Sequence, residues 1–158
     1  MAETVREIEC RWLLKKVPKD LKSCPFDVIK QGYLTARIRS INGREFLLEV
    51  KAGKGLSRIE VKSHLSEEQF RLMWPETRKA RLKKRRYKKS VGENIVEIDI
   101  YYSGKVRGHR QAEVEFPSEE AADSFKKPKW FGKEVTNDSR YGNHSLAVRG
   151  RPKGSGKK

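Results

Sequence analysis

Residues 7–14 read EIECRWLL, and they alternate. Glu7, Glu9 and Arg11 fall on one parity, and Ile8, Cys10, Trp12 and Leu14 on the other. Successive side chains of a strand point to opposite faces. One face would therefore be a ladder of two carboxylates and a guanidinium, the other a bulky apolar stripe. If the charged face is simply wet, the chain is a sheet with one solvated side. If it lines an interior, the fold is closed.

The pattern recurs along the chain. In TARIRSI, Thr35, Arg37 and Arg39 oppose Ala36 and Ile38. Asn42-Gly43 follows, a strong hairpin signal. EFLLEVK sets Glu45, Leu47, Glu49 and Lys51 against Phe46, Leu48 and Val50, and SRIEVKS sets Arg58, Glu60 and Lys62 against Ile59 and Val61. LKKRRYK carries Lys84 and Arg86 on one parity. NIVEIDIYY alternates Glu97, Asp99 and Tyr101 with apolar neighbours, and AEVEF sets Glu113 and Glu115 against Ala112, Val114 and Phe116. About seven strands in hairpin-like succession predict an antiparallel sheet or barrel. Helices are few. LSEEQFRLMW has Ser66 and Gln69 at capping-box spacing with Glu67 and Glu68 in the first turn. PSEEAADSFKK repeats the device from Ser118, with lysines in its last turn. PKDLKSCPFDVIK, with Pro18 and Pro25, reads as a loop or short broken helix. These strand patterns alone do not decide between an open sheet with a wet face and a barrel with a charged lumen.

At 158 residues the chain is about one domain long and buries a core without disulfide staples. Its 35% hydrophobic content is polar for a globular domain but too high for general disorder. Cys10 and Cys24 have no partners at zinc-ligand spacing and read as reduced structural thiols. His64, His109 and His144 are scattered and suggest neither a metal cluster nor a triad. MAETVREIE is charged and lacks a signal peptide's apolar core, and no stretch is apolar enough to span a membrane, which predicts a cytoplasmic protein. The formal charge of +16 predicts an anionic partner. The Gly/Lys-rich end predicts a domain over residues 1–148 and a disordered basic tail over 149–158.

Taken together, these motifs resemble the CYTH family, the triphosphate tunnel metalloenzymes, in its short bacterial branch. EIECRWLL resembles the Glu-x-Glu-x-Lys signature. QGYL (residues 31–34) has the same four residues as the bacterial branch. ARIRSINGREFLLEVKAGKGLSRIE resembles the Arg-x-Arg hairpin, lysine strand and Arg-x-Glu strand, and KKRRY (83–87) the Lys-x-Arg-Tyr strand. EIDIYYSGKVRGHRQAEVEFPSEEAADSF and EVTNDSRYGNHSLA follow the bacterial pattern. Two positions depart from it: Arg11 stands for the signature lysine, and Lys62 stands where many members carry a second glutamate.

The resemblance implies a mainly β, α+β fold: a closed antiparallel eight-stranded barrel with a few covering helices. It implies metal-dependent hydrolysis of a triphosphate, with Mg²⁺ or Mn²⁺ held by Glu7, Glu9, Glu60, Glu113 and Glu115. The phosphate-binding bases it implies are Arg37, Arg39, Lys51, Lys84 and Arg86, with Arg11 at the signature lysine and Lys133 and Arg140 closing the tunnel. Tyr33 of QGYL would act with Lys84. Forked guanidiniums suit a dense polyanion, and hard oxygens suit those cations.

Two function classes follow. One is an enzyme acting on tripolyphosphate, ATP or a similar small triphosphate; hydrolysis is expected, and the alternative is a class IV-type adenylate cyclase forming cyclic AMP. The other is a binding-only barrel for polyphosphate or nucleic acid, for which the run RLKKRRYKK and the basic tail speak. Oligomeric state is not legible.

Overall fold

In the computed structural model, which describes residues 2–53 and 56–154, the charged parity turns inward. Its elements are β1 (Glu3–Leu14), β2 (Phe26–Tyr33), β3 (Arg37–Ile41), β4 (Glu45–Ala52), β5 (Ser57–His64), α1 (Glu67–Met73), β6 (Arg81–Val91), β7 (Asn94–Tyr101), β8 (Arg110–Glu115), α2 (Glu119–Ser124), β9 (Phe131–Glu134) and α3 (Asn143–Arg149). The strands order as β5-β4-β3-β2-β6-β7-β8-β1, and β1 pairs back onto β5, which closes an eight-stranded barrel. Every pairing is antiparallel. The long β1 makes the closure: residues 3–8 pair with β5, and residues 9–13 pair with β8. Beyond that, β9 lies against Trp12 and Leu14.

The apolar core lies outside the barrel wall. Ile8, Cys10, Trp12, Val96, Ile98, Ala112 and Val114 form its largest cluster with Leu21, Phe116 and Phe131. Trp12 packs on Phe125 at 5.5 Å and on Phe131 at 4.9 Å between ring centroids. Burying one such aliphatic side chain contributes about 2 kcal/mol, so the apolar parity holds the wall together while the charged parity costs desolvation. A second cluster joins Leu146 and Ala147 of α3 to Leu82 and Tyr101. Leu82 shares the parity of Lys84, and Tyr101 is the register partner of Lys84, so α3 caps one end of the barrel interior.

The turn at Asn42-Gly43 has positive φ at both residues, 54° and 67°, and Arg44 N–H donates to Ile41 C=O, the type I′ signature. The capping box of α1 forms: Ser66 Oγ accepts from Gln69 N–H, and Gln69 Oε1 accepts from Ser66 N–H.

The structure corrects several expectations. Residues 26–30, expected in a loop or broken helix, belong to β2. Asp27 and Gln31 share a parity with buried Ile29, and Lys30 shares one with Phe26 and Val28, so neither face reads as apolar. The expected lysine-ended last turn is absent from α2, which stops at Ser124. Phe125 turns extended to place its ring on Trp12 and Phe116, and Lys126 and Lys127 lie beyond the helix. Val50 faces outward as its parity requires but is 47% exposed, because no helix covers that part of β4. The tail expected over 149–158 begins inside α3, and residues 155–158 lie outside the described residues. Among the described residues no helix is long and apolar enough to cross a membrane.

Candidate active site

The inward parities of the strands meet in a cavity of about 110 Å³ lined by six bases, Arg11, Arg37, Arg39, Lys51, Lys62 and Arg86, and six carboxylates, Glu7, Glu9, Glu60, Glu97, Glu113 and Glu115. Asn143 of α3 completes its lining. A second cavity of about 370 Å³ shares Arg11, Arg37, Lys51 and Asn143 with the first and opens past Tyr33, Arg58 and His144. The two form one polar tunnel through the barrel.

Most of these charges are paired. Arg11 donates from Nε to Glu113 at 2.7 Å and from Nη2 to Glu9 at 2.9 Å. Arg37 forks between Glu49 at 2.8 Å and Glu60 at 2.9 Å. Arg86 holds Asp99 through two hydrogen bonds, at 2.8 and 2.7 Å, reaches Glu113 at 2.6 Å and pairs with Glu97. Lys62 sits 3.1 Å from Glu60. The lysine at that departing position thus neutralises its neighbouring acid. Although burial pushes Glu113 up, Arg11 and Arg86 hold it well below the usual carboxylate range. Burial, then Arg37, depresses Arg39. Arg39 Nε and Arg58 Nε are buried with no hydrogen-bond partner among the described residues. They are spare donors in the tunnel wall, and a buried unsatisfied donor is costly unless something binds it.

At one end the carboxylates converge. Oxygens of Glu7, Glu9 and Glu115 lie within 4.8 Å of one another. The pairing of β1 with β8 causes this, since Glu9 is the register partner of Glu115. Burial, then Glu113, pushes Glu9 up to about 7, and burial, then Glu7, raises Glu115. Glu115 forms no ion pair among the described residues. Glu7 goes the other way: although burial pushes it up, Lys51, which donates to both its oxygens at 2.9 and 2.7 Å, lowers it. Hard oxygens at this spacing fit a divalent ion such as Mg²⁺ or Mn²⁺.

No protein-family model matches the chain. It is 37% identical over 150 residues to a protein of Nitrosomonas europaea named inorganic triphosphatase, covering 90% of this chain and 97% of that one. The chain belongs to the inorganic triphosphatase family. A second inorganic triphosphatase, from Acetivibrio thermocellus, is 33% identical over 124 residues, 74% of this chain and 78% of that one. The crystal structure of the inorganic triphosphatase NE1496 superposes with a TM-score of 0.70 at 33% identity, covering 91% of this chain and 95% of that one. A putative adenylate cyclase of Bacillus halodurans, at 19% identity, shares the fold with a TM-score of 0.59 over 76% of this chain and 85% of that one.

In this inorganic triphosphatase relative, the expected site residues divide. Arg11, Arg37, Arg39, Lys51, Arg86 and the five glutamates come together in the tunnel. Within that set Glu7, Glu9, Glu60 and Glu113 are engaged by bases, Glu7 by Lys51 at 2.9 and 2.7 Å and Glu9 by Arg11 at 2.9 Å and Arg58 at 3.1 Å, while the oxygens of Glu7, Glu9 and Glu115 converge. Lys84 is fully buried, 2.5 Å from Asp99 Oδ2, and burial followed by Arg86 lowers it to about 8. Tyr33 lines the second cavity and accepts from Gln31 Nε2 at 2.9 Å. Among the described residues no hydrogen bond joins Tyr33 to Lys84. Lys133 and Arg140 are exposed and line a separate depression on the surface. Arg140 is paired there with Asp138 at 2.6 Å. The C-terminal segment reaches the tunnel instead through Asn143, which accepts from Tyr101 Oη at 2.6 Å, and through His144, edge-on to Tyr33.

Sequence reasoning passed over Glu49 and Arg58, which share an inward parity with Lys51 and Glu60, and over Glu97 and Asp99, the register partners of Glu113 and Arg86. It also passed over Asn143, which no strand periodicity could reveal.

Proposed function

We propose that this chain is a CYTH-family inorganic triphosphatase that hydrolyses tripolyphosphate to pyrophosphate and phosphate, with Mg²⁺ or Mn²⁺ as cofactor. The observation that carries this reading is the tunnel itself, with balanced bases and acids inside and three convergent carboxylates at one end. A polyanion entering a charge-balanced lumen competes with the carboxylates for their guanidiniums. The displaced carboxylates then need another cation, because an uncompensated buried charge costs several kcal/mol, about 3–5 when one partner of a pair is removed. Metal dependence therefore follows from the electrostatics.

Arg37, Arg39, Lys51 and Arg86 clamp phosphoryl oxygens, and the spare Nε of Arg39 and of Arg58 supply further donors. Glu7, Glu9 and Glu115 would hold the metal, which would offset the substrate's charge and polarise a phosphorus centre. Lys84 lines neither cavity but reaches Asn143, which lines both, at 3.5 Å; its neutral form, which grows as pH rises toward about 8, is the base assigned to the attacking water. Tyr33 guards the wider mouth and positions the chain of phosphates. The free Cys10 and Cys24 suit a reducing cytoplasm.

The test measures phosphate release from tripolyphosphate, pyrophosphate and ATP, with cyclic AMP followed in parallel. Tripolyphosphate is expected to be turned over fastest, with no cyclic AMP formed. Cyclic AMP from ATP would move the assignment to the cyclase reaction. No turnover of any triphosphate at saturating metal would leave a binding barrel.

A further inference from the structure

The formal charge of +16 does not come from the tunnel cavity, where six bases face six carboxylates. Most of the surplus lies outside, and β6 shows where part of it goes. Lys84 and Arg86 turn inward, while Arg81, Lys83 and Arg85 alternate on the outer face, with Lys83 and Arg85 exposed. The register of β2 against β6 sets Lys30 opposite Lys83, Val28 opposite Arg85 and Phe26 opposite Tyr87. Lys89 of the outer parity pairs with Asp20, while Lys88, on the parity of Lys84 and Arg86, pairs with Asp27 at the barrel end. Among the described residues Lys30, Arg81, Lys83 and Arg85 form no ion pair.

Directly opposed like charges weaken a sheet. Lys30 feels this: burial lowers its pKa, and Lys83 and Arg81 lower it further. No carboxylate offsets this repulsion among the described residues. The cations are interleaved with rings. Lys30 Nζ lies 4.1 Å and Arg81 Cζ 4.3 Å from the Trp74 ring, and Arg85 lies 5.5 Å from Tyr102. Phe26 packs on Tyr87 at 4.9 Å yet remains 47% exposed, beside Val28 at 39%. A groove of about 350 Å³ in this face is lined by Lys30, Phe70, Lys83 and Tyr102.

We propose that the outer face of β2 and β6 binds single-stranded nucleic acid, with phosphates on Lys30, Lys83 and Arg85 and bases against Phe26, Tyr87 and Tyr102. Cations track a nucleic-acid backbone while aromatic faces take the bases, whatever the sequence. From Arg81 to Tyr87 the strip runs about 20 Å at the rise of a strand, room for more than one nucleotide. Inorganic polyphosphate would use the cations and leave the rings idle, and the exposed Phe26 favours the nucleic acid. The site lies on the far side of the wall from the tunnel and does not depend on the hydrolytic reading.

The test is the fluorescence anisotropy of a short labelled oligouridylate. Binding is expected at about 50 mM salt, weakening steeply toward about 200 mM. The double variant Lys83→Glu with Arg85→Glu should lose at least about tenfold in affinity and flatten the salt slope by about 1.4, the contribution of two phosphate contacts. It should fold, because a carboxylate then faces Lys30, so its melting temperature is expected at or above the wild-type value. Its tripolyphosphate turnover should be unchanged. Phe26→Ala should cost about tenfold for the oligouridylate, the weight of one base stack, and nothing for long-chain polyphosphate. Arg39→Ala, in the tunnel, should leave oligouridylate binding intact. The proposal is overturned if the oligouridylate does not bind at low salt, if the double variant binds as well as wild type, if Arg39→Ala abolishes binding, or if Phe26→Ala leaves it unchanged.

Discussion

Replacing Lys84 with methionine tests the electrostatics of the tunnel in one number. Lys84 is fully buried, and burial followed by Arg86 lowers its pKa from 10.5 to about 8. Asp99 stays ionised in the variant, because Arg86 still donates to it at 2.8 and 2.7 Å. In the unfolded chain the lysine returns to its ordinary value of about 10.4. Between those two values the unfolded chain holds a proton that the folded chain has released, so wild-type stability rises with pH through this window. The charged lysine opposes folding by about 3 kcal/mol at pH 7 and by about 1 kcal/mol at pH 9.5. Relative to Lys84→Met, the wild type should therefore gain about 2 kcal/mol over that range. Urea unfolding of both proteins at several pH values measures the difference, and groups common to both cancel. A difference constant to within about 0.5 kcal/mol, or one of opposite sign, would refute the reasoning. The same lysine sets the catalytic profile: kcat/KM on tripolyphosphate should rise with pH and level off above about 8.

Other perturbations separate the parts of the site. Glu49→Gln leaves Arg37 and Arg39 short of their shared acid and should cost about 3 kcal/mol; tripolyphosphate should then raise its melting temperature more than it raises that of the wild type. Glu115→Gln removes a carboxylate that pairs with no base among the described residues, so turnover should fall at least about tenfold with little change in stability, whereas Arg39→Ala should also raise KM, as steady-state kinetics will show. Gly32→Ala would bring a Cβ to 2.4 Å from Thr77 Oγ1, and overpacking there should cost about 1–3 kcal/mol in thermal or urea unfolding.

The barrel was legible because parity is a local property. EIECRWLL, TARIRSI and AEVEF each separate charge from apolar bulk, and closing the sheet only had to gather what each strand had already sorted. Parity alone left an open sheet equally allowed; the order of six motifs carried the decision. β2 was missed because Ile29 shares a face with Asp27 and Gln31, and Lys30 shares one with Phe26. α3 was missed because it is short and mostly polar, and its role depends on Leu146 meeting Leu82 across the fold. Among the acids, sequence could not separate Glu115, which forms no ion pair among the described residues, from Glu7, Glu9, Glu60 and Glu113, which do. That division depends on which guanidinium each carboxylate meets. Lys133 and Arg140 were chosen for charge and place in the chain. A hydrogen-bonded turn at Asp138 holds Arg140 on the surface instead.

The central claim is that a charge-balanced tunnel accepts and cleaves a triphosphate only with a divalent cation at Glu7, Glu9 and Glu115. Phosphate release from tripolyphosphate, followed while Mg²⁺ or Mn²⁺ is titrated into chelator-treated protein, tests it most directly. The account predicts no release without metal, saturable activation by metal, and a weakened metal response in Glu115→Gln. Full activity in excess chelator, or a metal response identical in wild type and Glu115→Gln, would contradict it.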